Sequence, residues 1–140
     1  MGLDQYLVAK IKGAETNNLT GACGGLFPLA PTSDKTEIGY WRKFYKLEEL
    51  IVECNNMSQE KYDQKNYKDI PLSKKDCEFI KSYAEEEMYE LEEWWHGDIE
   101  KLLDSDDGWD YGDWNKTVQI MKKAIKLIDN GAKVYYKYWR

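Results

Sequence analysis

The chain has 140 residues, 42% hydrophobic, 14% aromatic and 33% charged, with a formal net charge of −6. That length suits a single domain whose continuous core needs no disulfide or metal staple. No apolar run approaches the ~18–20 residues that span a bilayer. One histidine and three widely separated cysteines, Cys23, Cys54 and Cys77, lack the short Cys/His spacing of a zinc site or redox dithiol. The expectation is a cytoplasmic domain with no membrane segment and no cofactor, with Cys54 and Cys77 in its core.

Read from Gly2, alternation sets Leu3, Gln5, Leu7 and Ala9 on one side of a strand and Asp4, Tyr6, Val8 and Lys10 on the other. The comparable run is Lys133 to Trp139, which predicts that the two ends pair. Residues 13–36 are rich in Gly, Thr, Asn and Pro and read as a long loop. Their glycines lack the spacing of a phosphate-binding loop. Tyr40, Phe44, Leu47, Ile51 and Cys54 recur at four- and three-residue steps and predict a helix over 38–55. Arg42, Lys43 and Lys46 then stand near its positive end, where a carboxylate would be the stabilising choice; they read as a solvated basic face first, and second as cations that pair with a buried carboxylate or hold an anion.

Residues 57–71 read as loop with a short strand. Ser73 and Asp76 form a capping arrangement for a helix over 73–95, with the apolar stripe Cys77, Ile80, Ala84, Met88 and Leu91. Gly97 breaks it, and Ile99, Leu102 and Leu103 predict a further short helix. Residues 104–114 read as an acidic turn leading into a last helix capped by Asp113. Its stripe is Trp114, Val118, Met121, Ile125 and Ile128, and Asn130-Gly131 stops it. The class is therefore α+β, with three main helices plus a short one packed on a small antiparallel sheet that includes both termini.

Charge is segregated along the chain. Residues 1–84 are balanced, residues 85–113 carry thirteen acidic residues against Lys101, and residues 114–140 carry Asp129 against seven basic residues. The acidic, aromatic segment 85–113 sets Glu86, Glu90 and Glu93 on the outer side of the second main helix without a basic partner at four-residue spacing. Trp109, Asp110, Tyr111, Asp113 and Trp114 follow, a mixture of rings and carboxylates suited to burying area on a partner and steering a basic one.

Four stretches carry a resemblance: Met1-Gly2-Leu3-Asp4 with Tyr6-Leu7, Tyr40-Trp41-Arg42-Lys43, Tyr111 with Asp113-Trp114, and Tyr135-Tyr136 with Trp139. In this order they resemble a group of small accessory proteins encoded by tailed phages and prophages. The resemblance implies a viral accessory product acting in the cytoplasm of an infected bacterium on host processes or defences. Five places after the lysine of Tyr-Trp-Arg-Lys, where members of that group often carry histidine, this chain has Glu48. The glycine-rich segment before Glu37 looks like an insertion.

The leading expectation is a protein that binds a host protein, in its sharpest form a nucleic-acid-binding one, through Glu86, Glu90, Glu93, Trp109, Asp110, Tyr111, Asp113 and Trp114. The alternative is a site for a nucleotide or phosphate built from Asp4, Tyr6, Tyr40, Arg42, Lys43 and Tyr136, with cations for the phosphate and rings for the base. The net charge disfavours direct nucleic-acid binding, although the basic last helix with Tyr138 and Arg140 keeps RNA as an alternative. His96 has no evident nucleophile beside it, and a carboxylate pair such as Asp110 and Asp113 is the one acid/base option, so a binding role is expected before a catalytic one.

Overall fold

The computed structural model describes residues 2–10 and 35–140. The predicted loop falls on 13–36, so all but its last two residues lie outside the described residues. Four strands, β1 (Asp4–Lys10), β2 (Lys35–Arg42), β3 (Ile70–Leu72) and β4 (Lys133–Trp139), form one antiparallel sheet in the order β2-β1-β4-β3. The two ends of the chain are its central pair, with Asp4 opposite Trp139 and Lys10 opposite Lys133. Five helices complete the described residues: α1 (Tyr45–Cys54), α2 (Gln59–Asp63), α3 (Lys74–Trp94), α4 (Ile99–Asp104) and α5 (Asp107–Asp129). The class is α+β, with α2 a second short helix within the predicted 57–71 loop. Among the described residues no helix is long and apolar enough to cross a membrane.

One face of the sheet makes the core. Leu3, Gln5, Leu7 and Ala9 are all buried, as alternation requires, and Val134, Tyr136 and Tyr138 join them from β4. Above them run α3 and α5, an antiparallel pair tied by Lys74 to Asp129 at 2.8 Å at one end and by the Trp95 indole donating to Asp107 at 3.1 Å at the other. Cys77 is fully buried and Cys54 half-buried, and burial pushes both thiols up to about 12.

Gln5 is a buried polar side chain on the apolar side of β1, and its place explains the start of α1. Phe44, the N-cap, has no side-chain cap of its own. Its N–H donates to Gln5 Oε1 at 2.8 Å, and its carbonyl accepts from Gln5 Nε2 at 3.0 Å. The same amide donates to the Tyr136 hydroxyl at 3.0 Å, which lies 2.9 Å from that of Tyr62. Tyr62 donates to Glu48 Oε2 at 2.8 Å, and Arg140 donates to Glu48 Oε1 at 2.6 Å. A polar chain thus crosses the interior from the first strand to the last residue, with each member partnered, as burial demands.

The structure corrects three expectations. The predicted helix over 38–55 begins only at Tyr45; residues 35–42 are β2. A bulge opposite Leu7/Val8 shifts the register so that Ile38 and Trp41, three apart, both face inward. That spacing imitates a helical period. Arg42 and Lys43 therefore do not sit at a helix start: Arg42 ends β2, and Lys43 has left-handed φ 55 with its N–H donating to the Leu3 carbonyl at 2.8 Å. Third, α5 starts at Asp107, not Trp114, so the predicted acidic turn is mostly helix and Asp113 is an interior residue, not a cap.

Candidate functional site

The far ends of α3 and α5, with α4 between them, form an acidic helical tip. Here α3 carries the last of its 21 residues, a length of about 31 Å at 1.5 Å per residue. Its buried residues are Cys77, Ile80 and Ala84, all in the first half, while Met88 and Leu91 in the later turns are only partly buried against the core. His96 and Gly97, with φ of 52 and 78, reverse the chain between α3 and α4. Leu102, fully buried, plugs the tip from below. Gly108 lets α5 pass close to α4, because a Cβ there would strike the Leu103 carbonyl.

Glu86, Glu90 and Glu93 are exposed and fall on one stripe of α3, with Tyr89 between them at 61% exposure. Trp94 ends the helix at 74% exposure, and Trp109 on the first turn of α5 is 82% exposed. Asp110 beside it is exposed as well. Tyr111 is part-buried and donates to Glu92, a bond that together with burial pushes its hydroxyl up to about 12. Asp113 is also part-buried, and burial raises its carboxyl above the ordinary 3.8 against the opposing pull of Lys116. An open hollow of about 340 Å³ lies on this tip, lined by Tyr89, Glu92, Glu93, His96 and Gly97. No group of three or more His, Cys, Asp or Glu among the described residues is placed to hold a metal ion.

One expected member of this surface is elsewhere. Trp114 is 4% exposed and packs edge-on to Phe44, ring centroids 4.8 Å apart, and against Tyr83 at 5.6 Å. It belongs to the core. Tyr89 and Trp94 are further members of this surface: Tyr89 lies off the Cys77–Leu91 stripe and is placed outward by period, whereas Trp94, three residues after Leu91, continues that stripe past the end of the core and is exposed there.

The residues expected to form a ligand pocket divide between the two faces of the sheet. Asp4, Tyr6, Tyr40 and Arg42 share the outer face: Asp4 is paired in register with Arg42, and Tyr6 with Tyr40. The Tyr40 hydroxyl donates to Asp4 at 2.6 Å. Exposed Lys43 follows at the end of β2. Tyr136 points the other way, into the polar chain, because one residue along a strand changes the face. Its place on the outer face is taken by its neighbours in β4, Tyr135, Lys137 and Trp139, with Lys137 opposite Tyr6 and Trp139 opposite Asp4.

No family model matches this chain, and neither a curated protein nor a solved structure matches it.

Proposed function

We propose that this chain is a phage-encoded accessory protein that acts in the bacterial cytoplasm by docking a basic host protein on its acidic helical tip. The observation that carries the reading is the exposure of Trp94 and Trp109, at 74% and 82%, within a segment that holds thirteen carboxylates and one lysine. Covering a large apolar side chain yields on the order of 2–3 kcal/mol, and indoles are favoured anchors at the centre of interfaces. The carboxylates around them add long-range attraction for a basic surface and repel acidic competitors. A host protein that binds nucleic acid presents such a surface, and the tip would take the place of its phosphates. The viral provenance rests on the resemblance of the four stretches, and the docking on the tip.

The test is affinity capture from host lysate with three forms of the full chain: wild type, Glu86→Lys/Glu90→Lys/Glu93→Lys, and Trp94→Ala/Trp109→Ala. A basic protein retained by wild type and lost from both variants is the expected result, with circular dichroism unchanged. Equal capture by all three would remove the tip as the docking surface.

A further inference from the structure

The outer face of the sheet is built unlike the tip. Rings run across it in a band: Tyr40 to Tyr6 with centroids 5.2 Å apart, Tyr6 to Trp139 at 5.9 Å, and Trp139 to Tyr67 at 5.5 Å. None of the four belongs to the core cluster. Tyr40, Trp139 and Tyr67 are 37%, 44% and 55% exposed. The hydroxyl of Tyr40 is held by Asp4, which fixes its ring across the strand pair. Cations border the band: Arg42 beside Asp4 in the register, and Lys137 opposite Tyr6. The core gains little from these rings, since the helices pack on the other side, and the solvent face of an antiparallel sheet is ordinarily polar.

We infer that this face binds single-stranded nucleic acid, RNA or DNA, stacking successive bases on the Tyr40–Tyr6–Trp139–Tyr67 band while Arg42 and Lys137 take the phosphates. Stacking on sheet aromatics beside a basic groove is how strands are held without sequence preference. Four rings at 5–6 Å steps offer more surface than one base can cover, so a strand of several nucleotides fits better than a mononucleotide. A duplex keeps its base faces covered and would not use the rings. Asp4 gives the band a local acceptor for base amino groups, the one kind of contact a carboxylate makes well there. The total charge of −6 is concentrated elsewhere: thirteen acidic residues lie in 85–113, on the helices, whereas the carboxylates beside Tyr6 are Asp4 and Glu37.

The experiment is fluorescence anisotropy of the full chain with labelled oligouridylate and oligothymidylate of about 12 nucleotides, within the site sizes of such platforms, at low salt. Saturable binding of at least one is expected. Tyr6→Ala/Trp139→Ala should weaken it about tenfold or more, the loss typical of stacked rings, while Tyr6→Phe retains it. Arg42→Ala/Lys137→Ala should weaken it and flatten the salt dependence by roughly 0.7 for each phosphate that is no longer neutralised. Trp139→Ala alone, at an exposed position, serves if the double variant departs from the wild-type circular dichroism. The inference is overturned by absent binding, by undiminished binding of the natively folded ring variants, or by uridine monophosphate or heparin competing as well as the unlabelled strand. The triple lysine variant of the tip separates this face from the docking surface: it should lose the protein partner and keep the oligonucleotide.

Discussion

Gln5 shows how one polar side chain can set the position of a helix. Its amide satisfies both backbone groups of Phe44 and reaches the Tyr136 hydroxyl, so β1, α1 and β4 are held by a single residue. Replacing it by leucine keeps the bulk but orphans the Phe44 N–H, at a cost of about 1–3 kcal/mol when buried without a partner, while the Phe44 carbonyl keeps the Leu47 N–H at 3.1 Å. Urea unfolding of Gln5→Leu should therefore show a loss of roughly 1–3 kcal/mol. Asp113 makes the opposite case. Burial, as the leading cause, holds its folded carboxyl above the ordinary 3.8, so the ionised form opposes folding at neutral pH, and that penalty fades as pH falls through the raised folded value. Asp113→Asn should raise the thermal midpoint at about pH 7, with the gain over wild type shrinking as the pH is lowered toward about 4. A constant gain across that range would mean that the carboxylate is not the cause.

At the scale of elements, the outer half of α3 trades stability for surface. Glu86 and Glu90 are four residues apart and Glu90 and Glu93 three apart, all exposed on one stripe. Such like-charge pairs cost a few tenths of a kcal/mol each. Glu86→Gln/Glu90→Gln/Glu93→Gln should thus stabilise the chain by up to about 1 kcal/mol in thermal unfolding at low salt, with the difference reduced at high salt by screening. The same helix is legible in the sequence because Ser73 and Asp76 form a true reciprocal cap and its apolar stripe keeps one period to Leu91. By contrast, β2 is not legible, since its bulge gives Ile38 and Trp41 a three-residue spacing. The early start of α5 has a functional consequence. Trp114, a ring expected at the surface, is core, and exposed Trp109 stands on a helix rather than in a turn. Aspartate is a poor helix interior residue by propensity, and packing against α3 and α4 overrides it here.

Across the whole molecule, the modest total charge conceals two surfaces of different character: an acidic tip with indoles on the helical side, and a ring-lined face bordered by cations on the sheet. The pairing of both ends is readable because strict alternation in residues 3–9 and 133–139 admits one inward face each. Which residues meet on the outer face is readable only in part, because Tyr67 and Trp139 come together through tertiary contacts between distant segments. The order of strands has a further consequence for how the molecule is made. Of the described elements, β1 at the centre of the sheet is translated first and its partner β4 last. Until then β1 can hold only β2, and Gln5, Tyr62 and Glu48 wait without Tyr136 and Arg140. Until β4 is made, the nascent chain therefore stays open with apolar side chains uncovered, and its assembly depends on long-range closure of the slow kind.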